Sequence, residues 1–228
     1  MPFSCAELFA QSFPFWEKLS DDEKKTLCVQ TSFAEYSKGQ NIHGNTGNCT
    51  GALLVKSGIL RAYILSDGGK EITLYRLYPG DICMLSASCV MQSITFDVYV
   101  DAEVKSEVYI INSGAFAKQM EENVFVENFA LKMATERFSE VMWAMQQILF
   151  MSFDRRLAVF LIDELAKDGG DTIKLTQEQI AKYMGSAREV VSRMLKYFST
   201  EGLVEVSRGG VRVLDKTRLK TIAATEGA

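Results

Sequence analysis

"LTQEQIAKYMGSAREVVSRMLKYF", Leu175 to Phe198, decides the fold of the C-terminal part of this 228-residue chain. Thr176 followed three residues later by Gln179 makes a capping box, in which each side chain takes a backbone N–H the helix leaves orphaned, so a helix is predicted from Gln177. Counting from Gln177, the fifth residue is Ala181, the ninth Gly185 and the fifteenth Val191. A small side chain lets two helices cross closely, a glycine takes the positive φ of a tight turn, and a branched apolar residue faces back across it. Ile180, Met184, Met194 and Leu195 supply apolar contacts between the two helices. The spacing predicts a helix-turn-helix.

Helical periodicity puts Arg188, Glu189, Ser192, Arg193 and Lys196 on the side of the second helix away from Val191 and Leu195. In such a module the second helix enters the major groove of double-stranded DNA with its N-terminal residues at base edges. Arginine donates two hydrogen bonds to guanine and a carboxylate accepts one from cytosine, each contact discriminating by ~1–3 kcal/mol. A glutamate facing a polyanion is costly unless it reads a base, which singles out Glu189. A merely solvated face, with Glu189 and Arg193 as an ion pair, would contribute only ~0.2–0.5 kcal/mol. Thr176, Gln177 and Ser186, at the two helix starts, are further candidate contacts. Downstream, "LVEVSRGGVRVLD" predicts a hairpin turning at Arg208-Gly209-Gly210, whose Arg208 and Arg212 read first as solvated side chains and alternatively as phosphate contacts.

The charge agrees with an anionic partner for this end. The whole chain carries a net charge of -4, yet residues 171–228 hold 10 Lys and Arg against 7 Asp and Glu. Upstream, "FDRRLAVFLIDELAKDGG" predicts a helix closed by Gly169 and Gly170. Before it, residues 128–153 run without Gly or Pro. There Leu131, Ala134, Phe138, Val141, Met145 and Ile148 follow the 3-4 spacing of a coiled-coil seam. A helix packed only on its own domain is the competing reading. From about 31 to 112 the texture is short apolar alternations with glycine turns, "SDGGK" among them, which predicts antiparallel strands in a sandwich or barrel. A Ser20-capped helix belongs to the lead-in before them.

Composition excludes several classes. The opening MPFSCAELFA lacks the basic region of a secretory signal, and no apolar run reaches the ~18 residues of a membrane span, so the expectation is a cytoplasmic protein with no membrane partner. Five cysteines, Cys5, Cys28, Cys49, Cys83 and Cys89, without tight pairs argue against a disulfide framework. Cys5 and Cys28 are expected to stand apart. His43 is the sole histidine, so no metal cluster and no nucleophile–His–acid catalytic set is expected, and a cupin-like enzyme is disfavoured. Its glycine- and asparagine-rich surroundings suggest a surface residue.

With these motifs in place the chain resembles, along nearly its whole length, the CRP/FNR family of bacterial transcription regulators. The matching segments are "GALLVKSGILRAYILSDGGKEITLYRLYPGD", the long helix leading into "FDRRLAVFL", and the stretch quoted first. The resemblance implies an α+β fold with three parts. These are an N-terminal antiparallel β-roll sensor domain (a cyclic-nucleotide-binding-like double-stranded β-helix, 1–127), a long dimerisation helix (128–153), and a C-terminal winged helix-turn-helix (154–228). It further implies a homodimer whose recognition helices meet major grooves ~34 Å apart on a near-palindrome, with RNA polymerase as a further partner. Glu189, Ser192 and Arg193 match the FNR type of recognition helix, favouring a TTGA-like half-site. Arg188, Glu189 and Arg193 match the cAMP-receptor type and keep TGTGA open. The Arg-Ser pair by which cyclic-nucleotide members hold phosphate is replaced by Phe96 and Asp97, which argues against cAMP. The clustered N-terminal cysteines of iron–sulfur members are absent, and ligand spacing does not support haem, although His43, a cysteine or a methionine would be the axial choices. The effector therefore stays unidentified. Its expected pocket comprises Gly80, Asp81, Cys83, Ser86, Ser88, Cys89, Phe96 and Asp97. Cys83 and Cys89 read either as small buried hydrophobes or as a thiol-based redox or metal response, and a pocket for a small organic acid is the third alternative.

Overall fold

The computed structural model describes residues 5–44, 50–84 and 97–224. The chain divides into two units, Met1–Gly68 with Leu74–Val141, and Gly69–Thr73 with Met142–Ala228. Among the described residues no helix is long and apolar enough to cross a membrane.

The N-terminal unit begins with α1 (Cys5–Ser12), a 3-10 turn (Trp16–Lys18) and α2 (Asp21–Val29). Ser20 caps α2 as expected: its hydroxyl accepts from the Glu23 N–H, and the Glu23 carboxylate accepts from the Ser20 N–H at 2.6 Å. The strands follow as β1 (Thr31–Tyr36), β2 (Asn41–His43), β3 (Ala52–Ser57), β4 (Leu60–Leu65), β5 (Glu71–Leu77), β6 (Ile82–Cys83), β7 (Tyr99–Ala102) and β8 (Ser106–Ile111). They form two four-stranded sheets, ordered β1-β8-β3-β6 and β2-β7-β4-β5. The "SDGGK" turn joins β4 to β5, with Gly69 at φ +77°.

The apolar run Ala52-Leu53-Leu54-Val55 does not alternate because both faces of β3 are buried. Leu53 and Val55 point between the sheets, with Leu60, Ala62, Leu77, Val100 and Val108. Ala52 and Leu54 point the other way, into a cluster with Phe9, Phe13, Trp16, Ile111, Val126 and Ala130. That second cluster holds the helical lead-in and the start of the long helix against the sheet.

Two helices follow β8. α3 (Ser113–Glu122), capped by Asn112, whose side chain accepts from the Ala115 N–H, is not foreseen in the sequence, because Asn112-Ser113-Gly114 reads as turn chemistry. α4 spans Val124–Phe150 rather than 128–153. It starts early because the Asn123 side chain accepts from the Phe125 N–H. It ends early because Ser152 is extended, at φ -61° and ψ 157°, and begins the next helix.

Two further expectations are corrected here. His43 is a buried β2 residue, not a surface one: its Nδ1 lies 2.9 Å from Thr50 Oγ1, and burial holds its pKa below the usual 6.5. Cys5 and Cys28 are not apart, because the 3-10 turn reverses the chain and packs α2 on α1, where the Cys5 thiol meets Cys28.

The second unit contains α5 (Phe153–Asp168), β9 (Thr172–Ile173), α6 (Gln177–Tyr183), α7 (Arg188–Thr200), β10 (Val204–Ser207), β11 (Gly210–Val213) and α8 (Lys216–Ala224). α5 ends on Gly169 in the left-handed conformation, at φ +69°, as predicted. The three-stranded sheet runs β10-β11-β9. α8 was not expected. It is started by Asp215, whose carboxylate accepts from the Arg218 N–H, and it packs on α5 through Leu219.

Gly58, in the β3–β4 turn, tests the first unit. It sits at φ +89°, and a Cβ there would stand 2.6 Å from the Lys105 carbonyl oxygen and against Ser106. Gly58→Ala is expected to lower stability by roughly 1–3 kcal/mol, read as a fall in the urea midpoint.

Candidate nucleic-acid interface

The capping box forms as the sequence predicts. Thr176 Oγ1 accepts from the Gln179 N–H at 3.2 Å, and Gln179 Oε1 accepts from the Thr176 N–H at 2.9 Å. α6 then stops at Met184, and Gly185 turns the chain at φ +58°. The Ser186 N–H donates to the Ala181 carbonyl at 2.9 Å, closing the turn. Ala181, Val191, Leu195, Ile180 and Met184 are all buried in one cluster with Phe198 and Leu157. Met194 packs at its edge.

α7 advances about 100° per residue, so Ser192, Lys196, Glu189 and Arg193 share one arc opposite the buried Val191, Leu195 and Phe198. Glu189, Arg193 and Lys196 are exposed and Ser192 is half-buried. Arg188 stands at the edge of that arc rather than within it. From there it faces an open groove of about 500 Å³ lined also by Leu175, Thr176, Gln177, Glu178, Val206, Ser207 and Arg208. The structure thus gathers Arg188, Arg208, Thr176 and Gln177 around one groove between α6, α7 and the β10–β11 hairpin. Thr176 spends its hydroxyl on the cap, and Ser186 lies in the turn, half-buried. Glu178 and Ser207 were missed, since only the fold brings them to the groove.

The Glu189–Arg193 ion pair of the competing, solvated-face reading is not formed. Among the described residues Arg188, Glu189, Arg193, Lys196 and Arg208 have no ion-pair partner, whereas Arg218 is held by Glu201 at 3.3 Å. Arg212 does not behave as the sequence suggested: Asp171 holds it at 3.0 Å and Glu205 stands 3.9 Å away. Its charge is neutralised because β11 pairs Arg212 beside both acids, across from Thr172 and Glu205.

Four of the expected effector residues, Gly80, Asp81, Cys83 and Asp97, are among the described ones. Gly80 takes φ +94° and the Asp81 carboxylate accepts from the Tyr78 N–H at 2.9 Å, so this pair shapes a turn. Cys83 is 0% exposed in the inter-sheet core, 3.8 Å from the Tyr75 hydroxyl. Asp97 is exposed just before β7. Ser86, Ser88, Cys89 and Phe96 lie outside the described residues. Sequence reasoning missed Arg137 of α4, whose guanidinium lies 4.6 Å over the Tyr75 ring and is paired with Glu140 at 2.7 Å. Among the described residues no group of three or more His, Cys, Asp or Glu is placed to hold a metal ion. On α4 the seam splits by exposure: Leu131, Phe138, Met145 and Ile148 are exposed, Phe138 by 65%, and Ala134 and Val141 are half-buried.

A family model described as a Crp-like helix-turn-helix domain matches residues 155–222. A crp/fnr-family protein of known crystal structure from Eubacterium rectale is 45% identical, with a TM-score of 0.89, and the match covers 94% of this chain and 100% of that one. The chain belongs to the CRP/FNR family. Membership makes it a transcription regulator of that type, built on a helix-turn-helix and a cyclic-nucleotide-binding-like fold. Among more distant relatives of this CRP/FNR chain is the "Transcriptional activator protein FnrA" of Stutzerimonas stutzeri, 27% identical over 197 residues, covering 82% of this chain and 78% of its own. Another is the "Cyclic AMP receptor protein" of Thermus thermophilus, 26% identical over 212 residues, covering 92% and 96%.

The cap and the turn carry the geometry of α7, which makes them testable. Thr176→Ala is expected to cost about 0.5–2 kcal/mol and Gly185→Ala about 1–2 kcal/mol, measured by urea unfolding. Two neutral substitutions would mean that the turn is held by something else.

Proposed function

We propose that this regulator is a homodimer that reads a near-palindromic DNA site through α7, under control of a small-molecule or redox signal received in the β-roll. The observation that carries the reading is the face of α7, where Glu189, Ser192, Arg193 and Lys196 stand together beside Arg188 without internal ion-pair partners among the described residues. Leaving such groups unpaired in the free protein keeps their hydrogen-bonding capacity for base edges. Arg188 and Arg208, facing one groove from two elements, supply phosphate contacts that position the module. The Glu189, Ser192, Arg193 pattern favours TTGA-like half-sites over TGTGA.

The exposed apolar row Leu131, Phe138, Met145 and Ile148 on α4, with half-buried Ala134 and Val141, supports a second copy of the chain as its partner, since a coiled-coil seam buries such a row against its like. Functional boundaries of 1–127 for the sensor, 128–153 for dimerisation and 154–228 for DNA binding suit this arrangement, with the observed α4 shifting the helix limits by a few residues. RNA polymerase is the further partner that family membership suggests. Although one relative is named for cyclic AMP, an exposed carboxylate at Asp97, where cyclic-nucleotide members carry a phosphate-holding residue, would repel that ligand. We therefore assign the effector to another class.

Two measurements test this reading. Arg193→Ala is expected to lose ~1–3 kcal/mol of discrimination between specific and scrambled DNA, in competition binding at fixed salt; undiminished preference would refute the readout assignment. Phe138→Glu is expected to shift the protein from dimer to monomer in sedimentation velocity, and a dimer that persists would show that the seam is misplaced.

A further inference from the structure

Two thiols separated by more than twenty positions meet in the N-terminal unit. Cys5 is the first residue of α1 and Cys28 the penultimate residue of α2. The two helices pack on each other. Both residues are half-buried free thiols against the aromatic cluster of Phe9, Phe13 and Trp16. The Cys5 thiol donates a hydrogen bond to Cys28, and burial, with that partner, holds the Cys5 proton on well above the usual thiol range. Cys83, by contrast, is fully enclosed beneath Tyr75, where no reagent reaches it.

We propose that Cys5 and Cys28 form a reversible redox site, in which a low-molecular-weight disulfide converts the thiol pair into a Cys5–Cys28 disulfide that ties α1 to α2. The Cys28 thiolate attacks one sulfur of the reagent; a Cys28–reagent bond forms, the reagent's S–S bond breaks, and one reagent thiolate leaves. Cys5 then gives its proton to that thiolate and attacks the Cys28 sulfur. The intramolecular disulfide forms and the second reagent thiolate leaves, taking up the proton that Cys28 lost at the outset. Two electrons pass from the pair to the reagent, which ends as two thiols; excess free thiol reverses the sequence.

The site has a structural consequence within its own unit. α1 and α2 share their aromatic cluster with Val126, Phe129 and Ala130, the first turns of α4. Tying α1 down therefore stiffens the seat of the helix whose exposed row is assigned to dimerisation. Formation of the bond itself is independent of whether α7 reads DNA.

The test uses the whole reduced protein, incubated with oxidised glutathione and quenched in acid, then examined by intact mass, peptide mapping and amide exchange. The expected product is about 2 Da lighter than the reduced chain, the two hydrogens lost. It carries linked peptides containing Cys5 and Cys28, is restored by dithiothreitol, and exchanges several-fold more slowly over residues 5–12. Cys5→Ser is expected to stop at the mixed disulfide on Cys28, and neither Cys5→Ser nor Cys28→Ser to yield an internal disulfide. A wild-type protein that stops at the mixed disulfide, reacts at neither thiol, or links another cysteine would overturn the proposal. Unchanged exchange over residues 5–12 would overturn the tie between the helices.

Discussion

The C-terminal unit depends on the close crossing of α6 and α7. Ala181 is small enough to let the second helix approach, Gly185 turns the chain at φ +58°, and Val191 closes the contact from the far side. Because this crossing fixes the rotation of α7 about its own axis, it also decides which residues face out. A larger residue at 181 or a strained turn at 185 would turn the arc that carries Glu189, Arg193 and Lys196, as a whole, to a different direction. The face assigned to DNA is thus a consequence of apolar packing on the opposite side of the same helix.

The N-terminal unit rests on a related economy, a sheet buried on both faces. β3 sends Leu53 and Val55 into the space between the sheets, and Ala52 and Leu54 into the cluster formed by α1, α2 and the start of α4. α4 is consequently anchored at Val126 and Ala130, while farther along its apolar side chains emerge into solvent. A helix that is anchored at one end and apolar along the rest of its length suits the proposed pairing with a second copy of the chain. Arg137, resting on Tyr75 above Cys83, is the polar link between that helix and the core of the β-roll.

Much of this was readable in the sequence, and for identifiable reasons. The cap at Ser20, the capping box at Thr176 and the glycines at 169 and 185 are local signals, each satisfied within a few residues of chain. The errors have the opposite character. The polar neighbours of His43 suggest a surface residue, but β2 carries it inward to Thr50. Cys5 and Cys28 are distant along the chain, whereas α2 folds back on α1. For Arg212 the sequence shows no partner nearby, yet antiparallel pairing of β11 with β9 brings Asp171 to 3.0 Å. The helix α3 was hidden by a cap that doubles as a turn.

What the sequence by itself determined is the succession of short strands, long helix and helix-turn-helix, and the identity of the polar residues on the second helix of that module, because hydrophobic periodicity and capping are encoded within a turn or two. What only the tertiary structure decided is which polar groups meet. The groove shared by Arg188 and Arg208, the neutralised Arg212, the enclosed Cys83 and the Cys5–Cys28 contact all join residues that are remote in the chain. Their proximity follows from how apolar surfaces close on one another, a property of the whole packing that no local pattern carries.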